Sequence, residues 1–182
     1  MQNLESCIRR GELNAVIRLV VSSRPGTGAE QRASDLGLPM EVVDRRQFDG
    51  PSGFSDVVFR KLREAEIDLA CLGGFLSRLD IPGDFKGRVV NIHPALLPSF
   101  GGRGMFGLRV HEAVIAAGCK VSGCTVHFCD QEYDTGPIIV QRTCPVLPDD
   151  TPQALADRVF AQECLAYPEA IRLIEKGVRR EA

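Results

Sequence analysis

Hydrophobic positions fall in short bursts along this chain, and their spacing switches between the period of a strand and that of a helix. Residues 3–10 read as a short helix closed by Gly11, with basic residues in the last turn, where they face the negative end of the helix dipole. The run Ala15-Val16-Ile17-Arg18-Leu19-Val20-Val21 predicts a strand, stopped by Ser22-Ser23-Arg24-Pro25-Gly26. Residues 28–36 predict a helix ending at Gly37, and 40–43 a short strand. After a loop rich in Asp, Gly and Pro over 44–53, Phe54, Val57, Val58, Leu62 and Ala65 mark one apolar side of a helix of about fourteen residues. Residues 67–72 predict the next strand, which runs into Gly73-Gly74-Phe75.

The burst Val89-Val90-Asn91-Ile92-His93 is apolar and β-branched and is closed by Pro94, so Asn91 and His93 leave the end of a buried strand on the same side. Open α/β sheets carry their chemistry at such strand ends. From 97 to 107 glycine recurs too often for packed regular structure, which predicts a mobile rim beside that strand end. Residues 108–117 return to helix. From 121 to 129 Cys124, Val126 and Phe128 alternate with Thr125 and His127, the pattern of a half-buried strand. The strand at 137–141 follows too closely for a crossover, so the two pair antiparallel. Thr151-Pro152, a cap residue and a proline at the first helical position, opens the last long helix. Pro168 is expected to interrupt it, with a further short helix over 170–176. Strands alternating with helices, then a late hairpin, predict an α/β fold whose mostly parallel sheet has an antiparallel C-terminal edge.

Composition narrows this picture without changing it. The 182 residues, 44% hydrophobic and 25% charged, suit a single domain over 1–182 with a sizeable core. A net charge of −2 and scattered arginines give no basic patch, so no nucleic acid partner is expected and a charged small substrate must be held locally. Seven cysteines, an odd count without a C-x-x-C pair, read as buried reduced thiols rather than disulfides or zinc ligands, and so point to the cytoplasm. No signal-like segment follows Met1 and no run of eighteen apolar residues occurs, so neither export nor a membrane is expected.

His93 is the leading candidate for chemistry, although a lone histidine is often structural. Asn91 strengthens it: an amide and an imidazole two residues apart can both donate to an oxygen gaining negative charge. Asp134, before Thr135-Gly136-Pro137, can accept a proton or balance an imidazolium, or can simply bind its own backbone in a turn. None of the three is a hydroxyl or thiol nucleophile, so the set suits stabilising an intermediate between two bound substrates. His127 shares a strand face with Thr125 and is a candidate pocket residue, whereas His111 on a helix reads as a surface or capping residue. Glu163 is either a substrate contact or part of a charged helix face. Arg103 is either an anion contact or solvent-exposed, and the pair Gly73-Gly74 serves a bland turn or a ligand. No histidine and carboxylate spacing suggests a metal.

Three stretches carry a resemblance beyond this reading: Asn91-Ile92-His93-Pro94-Ala95-Leu96-Leu97-Pro98, Gly123-Cys124-Thr125-Val126-His127-Phe128, and Asp134-Thr135-Gly136-Pro137-Ile138-Ile139-Val140-Gln141. Together they resemble the signature of the folate-dependent formyltransferases, over residues 3–175, and within them the branch acting on 5'-phosphoribosylglycinamide in purine (IMP) biosynthesis. The resemblance implies a three-layer Rossmann-like fold and formyl transfer from 10-formyltetrahydrofolate, without a metal, to the glycinamide amine. Asn91 and His93 would serve the tetrahedral oxyanion, and Asp134 would keep His93 charged and help move the amine's proton. Folate contacts would fall on Leu72, Gly73, Gly74, Phe75, Leu76 and Leu79 and on Asp130 and Tyr133. Asn91 and Glu163 would meet the glycinamide substrate. A monomer or homodimer acting on small molecules is expected.

Enzymes of that family open with a strand and a Gly-x-Gly-x-x loop whose helix points at the substrate phosphate, a placement that suits anions. Neither is present before Met1-Gln2-Asn3-Leu4, so the resemblance implies an N-terminally truncated domain with its first strand missing, weaker ribonucleotide binding and lower stability. Two alternatives fit the same residues: formyl transfer to another amine such as a nucleotide sugar, or a non-catalytic folate-binding protein. A formyltetrahydrofolate hydrolase or an initiator-tRNA transferase would carry a further domain.

Overall fold

The computed structural model describes residues 1–177, which divide into two compact units: Met1–Ala70 with Phe75–Arg88, and Cys71–Gly74 with the chain from Val89 onward. The first unit contains helix α1 (Gln2–Arg9), strand β1 (Val20–Ser22), α2 (Gly28–Leu36), β2 (Met40–Val42) and α3 (Pro51–Glu64). β1 and β2 pair in parallel, with Val20 opposite Met40 and Ser22 opposite Val42. α2 begins where the Thr27 N–H donates to the Glu30 carboxylate at 3.0 Å, satisfying a helix-end donor, and ends at Gly37 in the left-handed conformation.

α3 starts at Pro51, three residues before the expected Phe54, because proline fits the first turn without losing a bond. Its buried stripe, Phe54, Ser55, Val58, Phe59 and Leu62, follows the helical period, and Phe59 meets Phe85 with ring centroids 5.0 Å apart. Each such fully buried ring contributes about 2–3 kcal/mol. The strand expected over 15–21 shrinks to β1, since residues 15–19 carry no ladder and Val16 is 71% exposed.

A second sheet, which apart from Ala70 lies in the second unit, has the order β3-β4-β5-β6 and is built from β3 (Ala70–Leu72), β4 (Val89–His93), β5 (Val121–Phe128) and β6 (Ile138–Pro145), with helices α4 (Leu108–Ala116) and α5 (Pro152–Glu175). β3 is shorter than the expected 67–72. The expected hairpin is present: β5 and β6 are antiparallel, with Val121 opposite Pro145 and Val126 opposite Val140. β4 also runs antiparallel to β5, so the sheets are mixed, with antiparallel pairing reaching further in than the edge. The α/β class holds.

Two expectations need correction. β5 is buried on both faces after Val121, not half-buried, because β4 and β6 flank it, α5 packs on it, and the Ala95 to Leu97 turn covers Thr125. Pro168 does not break the last helix: α5 runs unbroken through 24 residues. The missing proline N–H removes one helical bond, but Leu155, Val159, Ala166, Tyr167, Pro168 and Ala170 are all buried along the helix. The Tyr167 hydroxyl, 2.6 Å from the Leu72 carbonyl and 3.3 Å from that of Val90, pins α5 to β3 and β4.

Candidate active site

The register that pairs β4 with β5 sets Asn91 opposite His127 and His93 opposite Thr125. Opposed residues of an antiparallel pair share a face, so four polar side chains form one patch on the sheet. Asp134 is folded back onto this patch by the link between β5 and β6. In that link Asp130 Oδ1 accepts from the Glu132 N–H at 3.0 Å and the Thr135 hydroxyl at 2.9 Å, a compact turn that Asp favours. Gly136 allows the return, since a Cβ there would lie 1.8 Å from the Phe128 carbonyl oxygen. Asp134 itself takes φ 58°, a left-handed conformation that short polar side chains tolerate.

Asn91, His93 and Asp134 therefore converge, and His127 joins them. Asp134 Oδ2 lies 3.5 Å from His93 Nδ1, and its Oδ1 lies 3.5 Å from His127 Nε2. The Asn91 amide nitrogen points at His127 Nε2 (3.3 Å) and at Asp134 Oδ1 (3.4 Å). Both imidazoles are almost fully buried, and the carboxylate is nearly so. Beneath them the Thr125 hydroxyl donates to the Ala95 carbonyl at 2.7 Å and accepts from the Leu97 N–H and the Gln141 amide, each at 3.0 Å. With its one proton so committed, Thr125 is a clamp on the turn after β4 and not a nucleophile.

Carbonyl oxygens only accept, and that fixes where the ring protons sit. His127 Nδ1 faces the Phe128 carbonyl at 2.9 Å and His93 Nε2 faces the Phe100 carbonyl at 2.8 Å, so these two nitrogens carry hydrogen. The opposite nitrogens, both aimed at Asp134, are lone pairs when the rings are neutral. Burial lowers the His93 pKa below its ordinary value, and neighbouring His127 lowers it further, outweighing Asp134 and the Phe100 carbonyl, which raise it. Asp134 favours the charged ring, as expected, but desolvation is the larger influence on His93. Burial would also raise the Asp134 carboxyl, but the His127 bond, the Gly102 N–H at 2.9 Å and both imidazoles together hold it below the usual range. An anionic carboxylate facing the lone pair of His93 Nδ1 leaves the cluster able to accept a proton.

Other expected residues are placed less directly. Glu163, half-buried on α5, has no hydrogen bond or ion pair among the described residues, and burial pushes its carboxyl up to about 7. It touches none of the Asn91, His93 and Asp134 set through a bond; its charge is felt by Cys124 and Tyr167. In the second unit Leu72 is half-buried, Gly73 and Gly74 are exposed, and Tyr133 is exposed beside the Asp130 turn. In the first unit Phe75 stacks on Phe54, Leu76 is exposed and Leu79 is a core residue. Arg103 is exposed. His111 is not a surface residue: it lies in the buried stripe of α4 with Val110 and Val114, is 4% exposed, and its Nδ1 has no partner. None of the seven cysteines is in a disulfide, and three of them are buried. Cys129, the thiol whose pKa feels Asp134, is pushed up to about 12, chiefly by burial, and is no nucleophile near neutral pH.

The sequence reading missed a pair of backbone groups, the Phe100 carbonyl and the Gly102 N–H, which side-chain motifs cannot announce; the glycine run at 101–107 was their only trace. Among the described residues no group of three or more His, Cys, Asp or Glu could hold a metal, and no helix is long and apolar enough to cross a membrane. Chemically, the patch offers an amide donor, a proton-accepting cluster and no nucleophile. It is suited to a direct attack by one substrate on another with a proton to be removed.

The formyl transferase family profile matches residues 1–171. The chain is 40% identical over 167 residues to the trifunctional purine biosynthetic protein adenosine-3 of Drosophila melanogaster, covering 91% of this chain and 12% of that one. It is 37% identical over 177 residues to the chloroplastic phosphoribosylglycinamide formyltransferase of Vigna unguiculata, covering 95% and 56%. The chain thus spans less than two thirds of the length of these relatives. Among solved structures, glycinamide ribonucleotide transformylase 1 from Symbiobacterium toebii superposes with a TM-score of 0.88 at 35% identity, over 97% of this chain and 82% of that one. Phosphoribosylglycinamide formyltransferase from Bacillus halodurans superposes with a TM-score of 0.87 at 31% identity, over 97% and 89%.

Proposed function

The chain belongs to the formyl transferase family and has its Rossmann-like α/β fold, and from that premise we propose that it transfers a formyl group from 10-formyltetrahydrofolate to the amine of 5'-phosphoribosylglycinamide. The observation that carries this reading is the proton-accepting cluster of Asp134, His93 and His127 beside the Asn91 amide. The amine attacks the formyl carbon, a C–N bond forms, and the carbonyl oxygen becomes an oxyanion. An Asn91 N–H, freed from Asp134 or His127, donates to that oxygen. The ammonium formed by attack gives a proton to the cluster, the bond to folate N10 breaks, and N10 takes a proton in turn.

The folate is assigned, within the second unit, to Leu72, Gly73, Gly74, Asp130 and Tyr133, with backbone groups as its principal partners. Glu163, unpaired and half-buried, is assigned to the glycinamide substrate. The proposed setting is the cytoplasm, in keeping with seven cysteines of which none is in a disulfide, with the chain acting on small molecules as a monomer or homodimer.

The test is formyl transfer from 10-formyltetrahydrofolate to a panel of amines: the glycinamide ribonucleotide, a nucleotide amino sugar and glycinamide alone. Selective turnover of the first, lost by about 10²- to 10⁴-fold in His93→Ala, is the expected result. Turnover of the amino sugar instead would reassign the acceptor. Folate binding without turnover of any amine would leave a binding protein.

A further inference from the structure

Three consecutive residues of the glycine-rich segment after β4 lie against the His93 and Asp134 pair, each by a different means. The Phe100 carbonyl accepts from His93 Nε2 at 2.8 Å, and the Gly102 N–H donates to Asp134 Oδ2 at 2.9 Å. Between them Gly101 is so close that a Cβ would lie 2.5 Å from the Leu97 side chain and 3.3 Å from Asp134 Cβ. The Leu97 N–H at the start of the segment is itself held by Thr125 Oγ1, and the Leu97 carbonyl by the Gln141 amide at 3.0 Å. The segment is therefore anchored at one end by buried polar groups and touches the pair at the other.

Phe100 takes φ 57°, one of three non-glycine residues among those described with a left-handed backbone. An aromatic residue does not choose that conformation unaided. Its consequence is local: the left-handed turn aims the Phe100 carbonyl back toward the strand end and onto the imidazole. We infer that Phe100 is a positioning residue, whose left-handed backbone presents its carbonyl to His93 Nε2 and thereby fixes both the ring's orientation and the nitrogen that carries hydrogen. With Nε2 so held, Nδ1 is the nitrogen turned to Asp134, 3.5 Å away, and is the one able to gain a proton. Without the carbonyl the neutral ring would place its hydrogen on Nδ1, toward the carboxylate, and the lone pair that could take up a proton beside Asp134 would be gone.

The role belongs to the backbone, so it separates cleanly from side-chain packing. Phe100→Gly removes the ring but favours the left-handed conformation, and Phe100→Asn tolerates it; Phe100→Val and Phe100→Ala disfavour it. Each variant is read in two ways on the full chain. Nitrogen-15 NMR of labelled histidine reports which His93 nitrogen bears hydrogen, and steady-state kinetics of formyl transfer report kcat and KM; only the kinetic part rests on the transferase reading. The wild type, Phe100→Gly and Phe100→Asn should show hydrogen on Nε2, and these two variants should lose less kcat than Phe100→Val. Phe100→Val, or Phe100→Ala if the valine form does not fold, should show hydrogen shifted to Nδ1 and kcat lower by about ten- to a hundredfold, with KM little changed. Equal losses in Phe100→Gly and Phe100→Val would overturn the inference, because the ring would then be what matters. So would an unaltered His93 tautomer in the valine and alanine forms. If the tautomer follows this order while no variant or wild type transfers formyl, positioning stands and the proposed reaction falls.

Discussion

Replacing Glu163 by glutamine should make the protein more stable at pH 8 and leave its stability unchanged at pH 4. The carboxyl is half-buried on α5 without a bond partner among the described residues, and burial raises its pKa from an ordinary 4.5 to about 7. A carboxyl whose folded pKa exceeds its unfolded one binds more protons when folded, so it destabilises increasingly as pH rises from about 4.5 to 7 and fully above that. The penalty on the charged form has a ceiling of about 3 kcal/mol at ~1.36 kcal/mol per pKa unit. Glutamine keeps the shape and removes the charge. For a chain of this length the gain corresponds to a Tm higher by roughly 5–10 °C at pH 8, vanishing by pH 4. Urea unfolding at the two pH values measures it. The same variant should raise KM for the glycinamide substrate about tenfold or more while kcat holds, if the uncompensated carboxylate is retained for that contact. A stability gain equal at both pH values would refute the reasoning, since the charge would not be its source; a loss at pH 8 would mean the carboxylate is satisfied after all.

Asp134→Asn should cost about 10²- to 10⁴-fold in kcat, and the His93 pKa, which Asp134 raises, should fall further, as followed by NMR titration. Thr125→Val leaves the Leu97 N–H and the Gln141 amide without their shared acceptor and should cost about 2–4 kcal/mol in chemical denaturation, with Thr125→Ser recovering most of it. Acid should destabilise the fold. His93 and His111 have pKa values lowered by burial, so each binds fewer protons folded than unfolded, and stability complete above the ordinary 6.5 declines as pH falls below it. Asp134, also lowered, adds a loss in the same direction at still lower pH. His111→Phe should flatten the first part of that decline, and an unchanged pH dependence in this variant would remove His111 from the account.

Asn91 and His93 were legible in the sequence because two polar residues interrupt an apolar, β-branched burst that a proline closes. Asp134 could be read in the sequence either as a proton acceptor or as a turn residue; its return to the strand end depends on the Asp130 turn and on Gly136, contacts that exist only once β5 and β6 pair. His127 could be put on the face of Thr125 by alternation, but its meeting with Asn91 is a matter of register between strands nearly forty residues apart, which local pattern does not encode. His111 was misread although Val110 and Val114 flank it at helical spacing: the polar ring outweighed a stripe that was present. Pro168 was over-weighted in the opposite sense, since burial along α5 exceeds the loss of one helical bond. The Phe100 carbonyl and Gly102 N–H belong to every residue type alike, and only the folded chain singles them out.

Two carboxyls in the second unit are driven in opposite directions, and the contrast bears on where the reaction's proton rests. Asp134 accepts the Gly102 N–H, lies beside two imidazoles and stays ionised; Glu163 receives nothing and burial pushes its carboxyl up to about 7. Environments that push two like groups apart assign them different work. A carboxylate held below its usual range is a weak base, so on the proposed reading the amine's proton does not settle on Asp134. It settles on an imidazole nitrogen aimed at Asp134, His93 Nδ1 or His127 Nε2, where the carboxylate balances the new charge at 3.5 Å. The neutral resting state of His93 is then the condition for accepting that proton, and the charged state expected from the resemblance is the one reached after attack. Asp134→Asn separates these states: it removes the balancing charge, so the ring can no longer hold the proton, and the rate should fall without recovery at high pH.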